Sequence, residues 1–117
     1  MALRCLIVDD SEEFLASAKR LLDSQGVDVV GCASSSVDAL RLAADLAPDV
    51  VLVDIELGEE DGFELAQKLA EQAPSTRVVL ISAYDREELG ELIADSPAVG
   101  FMPKRALGAA ALEGLVG

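Results

Sequence analysis

The sequence predicts an α/β fold in which one five-stranded parallel sheet carries helices on both faces. Five short apolar runs recur along the chain, and a segment with helical spacing follows each of them. The runs are nearly continuous rather than alternating, which is typical of parallel strands buried on both faces. Regular alternation of strand and helix implies right-handed crossovers within one parallel sheet.

The predicted strands share a high content of β-branched and other aliphatic residues. They span residues 3–8, 27–32, 50–55, 78–82 and 98–102. Five βα units favour the flavodoxin-like doubly wound order 2-1-3-4-5. At 117 residues the chain has the length of one domain, so we expect a single domain over residues 1–117.

Apolar residues at helical spacing mark the five helices. The stripes are Phe14, Leu15, Ala18, Leu21 and Leu22 in the first, Val37, Leu40 and Ala44 in the second, Phe63, Ala66, Leu69 and Ala70 in the third, Leu89, Leu92 and Ile93 in the fourth, and Leu107, Ala111 and Leu115 in the fifth. We expect Gly26 to end the first helix and Ser36 to cap the second. Pro48 and Pro74 should close the second and third helices.

The composition argues against several classes of function. A net charge of −13 with only nine scattered basic residues opposes direct nucleic-acid binding, which needs a basic surface. The chain has no histidine, which removes the commonest general base and any phosphohistidine role. Cys5 and Cys32 are too few for a disulfide framework. If both lie on strands as predicted, they sit at opposite ends of the sheet and cannot bond.

We expect no targeting signal in this sequence. The apolar run 6–8 is too short for a signal peptide and is stopped by Asp9 and Asp10. No window approaches the length of a membrane span. We therefore expect a cytoplasmic protein without a membrane partner.

Acidic residues cluster where such a sheet binds ligands. Ligands lie outside the carboxyl ends of the strands, at the point where the strand order reverses, here between strands 1 and 3. Asp9 and Asp10 follow strand 1, Asp54 lies near the end of strand 3, and Glu56 is close by. Converging carboxylates need a cation or protons to be tolerated. Magnesium fits, because it takes oxygen ligands and keeps several waters.

Two further polar residues end the neighbouring strands. Ser82 ends the fourth strand and offers a hydroxyl, and the fifth strand leads to Lys104. A cation, a hydroxyl and a lysine around one carboxylate are the groups that phosphoryl transfer uses, because its catalysis is mainly positioning and charge neutralisation. The nucleophile would be the carboxylate of Asp54.

Each of these residues alone has a purely structural interpretation. Asp9 and Asp10 are equally compatible with capping the first helix, Asp10 pairing with Glu13. Ser82 and Lys104 alone are typical of a turn residue and a solvated charge. Asp54 is harder to explain structurally, because an unpaired carboxylate in a buried strand is costly.

Taken together, these residues resemble the receiver domain of bacterial two-component response regulators. The segment LIVDDSEEF resembles the family's acidic pair, and DVVLVDIELGEEDGFEL its phosphorylation strand and following loop. The segments VVLISAY and VGFMPK resemble the strands that carry its hydroxyl residue and its lysine. The resemblance covers essentially the whole chain.

The resemblance implies a Mg²⁺-dependent phosphoacceptor. It makes Asp54 the acceptor and assigns the metal to Asp54, to Asp10 directly, to Asp9 largely through water and to the backbone carbonyl of Glu56. Ser82 would hydrogen-bond the phosphoryl group, and Lys104 would pair with it.

The same resemblance implies a switch and a lifetime control. Phe101 falls at the family's aromatic switch position and would fill the space that Ser82 leaves. The side chains of Glu56 and Tyr84 would border the path of the hydrolytic water and tune dephosphorylation.

The implied partners are a sensor histidine kinase or phosphotransfer protein, and a downstream effector or output domain that reads helix 4, strand 5 and helix 5. A homodimer that forms on phosphorylation is a further option. Such a domain is not a conventional enzyme, although it catalyses its own phosphorylation and dephosphorylation.

Two departures from the family pattern concern loops. Gly58 stands where many members have proline, so we expect a more mobile loop after Asp54. Pro103 precedes Lys104 and Arg105 follows it, which leaves open the cis peptide that many members have after the lysine.

Two other classes of function compete with this interpretation. One is an interaction module with the receiver fold that is never phosphorylated, against which the complete set of acidic, hydroxyl and lysine residues argues. The other is a flavin-binding or phosphatase domain of similar topology. The acidic segment after strand 1 would repel a flavin phosphate, and Ser11 stands where a dehalogenase-type phosphatase needs its second aspartate.

Overall fold

The computed structural model describes residues 2–85 and 87–116. Its main sheet has five parallel strands: β1 (Arg4–Val8), β2 (Asp28–Ala33), β3 (Val50–Asp54), β4 (Arg77–Ser82) and β5 (Gly100–Pro103). Their order across the sheet is β2-β1-β3-β4-β5. The predicted fold class and the predicted strand order are therefore confirmed.

Five helices alternate with these strands: α1 (Glu12–Ser24), α2 (Ser36–Leu46), α3 (Gly62–Gln72), α4 (Gly90–Asp95) and α5 (Ala109–Val116). Turns of 3-10 helix precede α4 at Glu87–Leu89 and follow β5 at Lys104–Ala106. A short antiparallel pair, Glu56–Leu57 with Glu60–Asp61, joins β3 to α3 and was not predicted. No described helix has the length and apolar character that crossing a membrane requires.

The core forms two layers, one on each face of the sheet. Alternate residues of β1 divide between them, so that Cys5 and Ile7 face the layer of α1 and α5, while Leu6 and Val8 face that of α2 and α3. All four of these side chains are fully buried. Burial on both faces explains why the strands are continuous apolar runs rather than alternating ones.

The helix boundaries differ from the predictions in two places. The N-cap of α2 is Ser35, whose hydroxyl accepts a hydrogen bond from Asp38 N, so the prediction of Ser36 was wrong by one residue. The sequence does not show which of two adjacent serines is the N-cap, because either side chain can accept the capping hydrogen bond. At the end of α1, the C-cap is Gln25 rather than the predicted Gly26, which follows it with φ of 90°.

The buried stripe of α5 also differs from the prediction. Ala109, Leu112 and Val116 are buried in this helix, whereas Ala111 is exposed. Leu107 is buried but precedes the helix. A helix rich in Ala and Leu offers several apolar stripes, so periodicity alone does not select the one that faces the sheet.

The two cysteines lie closer together than predicted. Cys32 pairs with Ile7, two residues along β1 from Cys5, and packs against the core layer that contains Cys5. The prediction that they occupy opposite ends of the sheet was wrong, because short parallel strands in this register leave them diagonally adjacent. Both are free thiols. Burial, with a smaller effect of Cys32, raises the pKa of Cys5 to about 12.

Candidate functional site

Three carboxylates meet at the carboxyl ends of the strands. Asp9 and Asp10 follow β1 and Asp54 ends β3, and one oxygen from each lies within 4.8 Å of the others. Asp9 is fully buried and Asp54 is 4% exposed, whereas Asp10 is exposed. The strand order puts β1 and β3 side by side, so the predicted convergence is what the structure contains.

The first turn of α1 is organised around Asp9. The backbone N–H of Ser11 donates to Asp9 Oδ1 at 2.9 Å, and Ser11 Oγ accepts a hydrogen bond from Phe14 N at 3.2 Å. Ser11 is therefore the N-cap of α1. The alternative in which Asp9 or Asp10 caps this helix is wrong, and the second oxygen of Asp9 remains directed into the site.

Lys104 completes the charge arrangement. Its Nζ lies 2.5 Å from Asp9 Oδ2 and 3.2 Å from Asp54 Oδ2. The same atom stands over the ring of Phe14, 4.3 Å from its centroid. Within the part of the chain that the structure describes, the buried Asp9 Oδ2 accepts no hydrogen bond, so it depends on the charge of the lysine.

The protonation equilibria of Asp54 and Lys104 reflect this surrounding. Burial, and then the charge of Asp9, raise the pKa of Asp54 from 3.8 to about 6, against the opposing effect of Lys104. Burial alone lowers the pKa of Lys104, but the adjacent carboxylates of Asp9 and Asp54 outweigh this effect, and the net direction is upward. The lysine therefore remains a cation, while Asp54 is ionised above about pH 6.

The chain after Asp54 folds back tightly. The N–H of Glu56 donates to Asp54 Oδ1 at 3.0 Å, and Gly62 N donates to Ile55 O at 3.1 Å. A Cβ on Gly62 would overlap the carbonyl oxygen of Asp54 and the backbone of Ile55. Only glycine fits this approach, which fixes the backbone of the predicted acceptor.

Gly58, in the same loop, also has a backbone conformation that favours glycine. Its φ of 60° lies in the left-handed region, and a Cβ there would stand 3.3 Å from Asp10 Oδ2. Proline, fixed near −65°, cannot adopt that conformation. Gly58 follows Leu57 in the turn of the short antiparallel pair, and this turn packs against Asp10.

Ser82 lies on the opposite side of Asp54 from the acidic pair. Its side chain is fully buried at the end of β4, its Oγ lies 3.4 Å from Glu56 Oε1, and it accepts a hydrogen bond from Tyr84 N at 3.2 Å. The structure thus places the Ser82 hydroxyl between the side chain of Glu56 and the backbone of Tyr84, the two residues predicted to border the path of the hydrolytic water. Tyr84 itself is 62% exposed.

Phe101 lies on β5 beside an open pocket. It is half-buried, and the pocket of about 380 Å³ between β5 and α4 is also lined by Gly90, Ile93 and Pro103. At the rim, Arg105 makes an ion pair with Asp85 at 2.7 Å. No peptide bond within residues 2–85 and 87–116 is cis, so the bond after Lys104 is trans.

The donor set fits a hard divalent cation. Magnesium prefers carboxylate and carbonyl oxygens and retains several waters, and three carboxylates converge here with one of them exposed to solvent. The buried Asp9 Oδ2 has no hydrogen-bond donor among the described residues and is paired by charge with the Lys104 ammonium, a place that such an ion could take.

Three residues of the site were not predicted. Gly62 carries a signal in the sequence, since a glycine that opens a helix beside a candidate acceptor suggests close backbone approach. Ser11 has no signal that separates it from an ordinary N-cap serine. Phe14 has no local signal, because its place in the apolar stripe of α1 is that of a core residue.

Comparison with protein families matches residues 5–113 to the response regulator receiver domain. Among curated proteins, the chain is 33% identical over 105 residues to the response regulator GacA of Pseudomonas aeruginosa, covering 89% of this chain and 49% of that protein. It is 39% identical over 110 residues to the protein-glutamate methylesterase/protein-glutamine glutaminase of Alkalilimnicola ehrlichii, covering 90% of this chain and 27% of that protein. The chain thus spans about half or less of these relatives.

Solved structures agree with this assignment. The receiver domain of the response regulator NarL from Mycobacterium tuberculosis superposes with a TM-score of 0.85 at 31% identity, covering 99% of this chain and 98% of that one. A Burkholderia pseudomallei response regulator with a phosphorylated aspartic acid and a calcium ion gives a TM-score of 0.84 at 26% identity, covering 97% and 66%. This chain therefore belongs to the response regulator receiver domain family.

Proposed function

We propose that residues 1–117 form a phosphoacceptor domain of two-component signalling, in which Asp54 accepts a phosphoryl group in a Mg²⁺-dependent reaction. One observation carries the proposal: Asp9, Asp10, Asp54 and Lys104 converge at one edge of the sheet. A lone buried carboxylate would be a structural liability, but this set has the charges that phosphoryl transfer needs.

Asp54 is the nucleophile in this proposal. Its pKa of about 6 leaves it ionised at neutral pH, so an oxygen of the carboxylate attacks the phosphorus atom while the bond to the donor breaks. The product is an aspartyl phosphate, and the leaving group takes the electron pair of the broken bond. Glu56 N, which donates to Asp54 Oδ1, orients the carboxylate for this attack.

The remaining side chains neutralise charge. Lys104 stands 3.2 Å from Asp54 Oδ2, within reach of a phosphoryl oxygen on that carboxylate. Ser82, buried at the end of β4, offers a hydroxyl on the other side. A magnesium ion held by Asp9, Asp10, Asp54 and the carbonyl of Glu56 would supply further neutralisation of the transferred group. The phosphorylated aspartic acid and calcium ion of the Burkholderia relative support this proposal.

The switch in this proposal runs from Ser82 to Phe101. Movement of Ser82 towards the phosphoryl group vacates space that the Phe101 ring fills, beside the pocket of about 380 Å³. The face of α4, β5 and α5 then changes its packing, and a downstream effector or output domain reads it. A sensor histidine kinase or phosphotransfer protein supplies the phosphoryl group, as the relationship to response regulators suggests.

The test is phosphorylation by acetyl phosphate, followed by intact mass spectrometry. We expect a single phosphoryl adduct that requires Mg²⁺ and disappears in Asp54→Asn. Asp45→Asn, which removes an exposed carboxylate from α2, is the matched control and should retain the adduct. Lys104→Ala should still accept phosphate but switch poorly.

Beryllofluoride with Mg²⁺ gives an independent readout. Amide shifts that reach from Asp54 to Phe101 would support the switch. An adduct that persists in Asp54→Asn would point to another acceptor, and a protein that stays unmodified with acetyl phosphate and Mg²⁺ would favour a phosphorylation-independent interaction module.

A further inference from the structure

One aromatic side chain touches the charged centre of the site. Among the described residues, Lys104 Nζ contacts Asp9 Oδ2 at 2.5 Å, Asp54 Oδ2 at 3.2 Å and the ring of Phe14 at 4.3 Å from its centroid. The lysine side chain is only 19% exposed, so water screens these contacts weakly. A cation over an aromatic face in such surroundings is attracted by the ring quadrupole.

The position of the ring is set by the same turn that holds Asp9. Phe14 N donates to Ser11 Oγ, and Ser11 N donates to Asp9 Oδ1. The ring also packs against the core layer of α1 and α5. Phe14 is thus anchored on both its backbone and its side chain, and it presents a fixed surface to the lysine.

The Lys104 ammonium lies beside two of the carboxylates that a divalent cation would use. Asp9 and Asp54, which Lys104 contacts, are two of the three carboxylates whose oxygens lie within 4.8 Å of one another. An ammonium and a divalent ion repel each other strongly at the short separations that sharing Asp9 would impose. A divalent ion at Asp9 would therefore compete with the lysine for this carboxylate.

We propose that Phe14 is a positioning residue that holds the Lys104 ammonium over Asp9 and Asp54, and thereby sets how strongly the lysine competes with a divalent cation for Asp9. This inference rests on the proposed function. The Phe14 ring stabilises the state in which the Lys104 ammonium lies beside Asp9. A divalent cation at Asp9 would displace the ammonium from this carboxylate. Because the ring stabilises one of two exclusive states, it weakens cation binding.

The test is the Mg²⁺ dissociation constant of the unphosphorylated chain, measured by calorimetry. Phe14→Leu keeps apolar bulk but removes the aromatic face, and should lower the constant by about two- to fivefold, the range expected for one partly buried cation–π contact. Phe14→Tyr keeps the face and should leave the constant within about twofold. Lys104→Met removes the competitor and should lower the constant further.

A double-mutant cycle separates this role from plain packing. In the Lys104→Met background, Phe14→Leu should have no further effect, because its partner is gone. Leu21→Ala truncates a 38% exposed side chain on the same helix, and should leave the constant unchanged. An equal effect of Phe14→Leu with and without Lys104 would overturn the inference, as would weaker Mg²⁺ binding in Phe14→Leu.

The outcome also distinguishes the inference from the function on which it rests. Saturable Mg²⁺ binding with no coupling between Phe14 and Lys104 would overturn the inference and leave the proposed function in place. A wild-type chain with no saturable Mg²⁺ binding would overturn both.

Discussion

Gly62 lies so close to Asp54 that a Cβ atom at position 62 would overlap the carbonyl oxygen of Asp54. The contact is between backbone atoms, which cannot rotate away as a side chain does. It joins the start of α3 to the end of β3, the strand that carries the predicted acceptor. The site is therefore built on a glycine as well as on its charged residues.

Substitution of this glycine should be costly. Gly62→Ala should lower the free energy of unfolding by about 1–3 kcal/mol, the usual range for overpacking in a dense interior, measured by urea denaturation. Gly114→Ala is the control, because a Cβ there meets nothing within 4 Å, and helix propensity should stabilise α5 slightly. If Gly62→Ala and the wild type had equal free energies of unfolding, the backbone around Asp54 would be able to shift and accommodate the added Cβ atom.

Removal of the Asp54 charge should stabilise the metal-free protein at neutral pH. The pKa of Asp54 is raised from 3.8 to about 6 by burial and by Asp9, so ionisation is more costly in the folded than in the unfolded state. Asp54→Asn should therefore raise the free energy of unfolding at pH 7 by on the order of 3 kcal/mol, from about 1.4 kcal/mol per pKa unit.

The pH dependence checks the sign of this effect. Stability that comes from protonated Asp54 is fully present below pH 3.8 and is lost as the pH rises through about 6. The advantage of Asp54→Asn should therefore shrink as the pH falls through this window. An advantage that grows on acidification would contradict the assigned direction.

Magnesium should stabilise the fold, because it relieves repulsion among Asp9, Asp10 and Asp54. At a free concentration tenfold above the dissociation constant, the gain is roughly 1.4 kcal/mol. Thermal unfolding with MgCl₂, against NaCl at the same ionic strength, separates binding from screening. Identical melting curves would mean that the three carboxylates do not act as a cation site.

Tyr84 should prolong the phosphorylated state. Its backbone is tied to Ser82 by a hydrogen bond of 3.2 Å, which places the residue beside the predicted phosphoryl position, and its ring is large enough to obstruct in-line attack by water. Tyr84→Ala should dephosphorylate several-fold faster, a change of about 1 kcal/mol in the barrier. Tyr84→Phe keeps the bulk and should decay like the wild type. An unchanged or slower decay in Tyr84→Ala would rule out shielding by this side chain.

The sequence by itself determined the βα alternation, the parallel sheet and the residues at its carboxyl edge. It did so because burial on both faces makes each parallel strand a continuous apolar run, as in Val50–Asp54, and polar residues stand out where such a run ends. Asp9, Asp54 and Ser82 are visible for this reason: they are polar groups at the ends of strands that are otherwise apolar.

Only the tertiary structure decided which of these polar atoms touch. Whether Ser11 or an aspartate caps α1 depends on the geometry of a single turn, and the contact of Phe14 with Lys104 joins residues far apart in the chain. The overlap that forces glycine at position 62 likewise depends on how α3 approaches β3. Such contacts come from the packing of elements against each other, which local pattern and propensity do not encode.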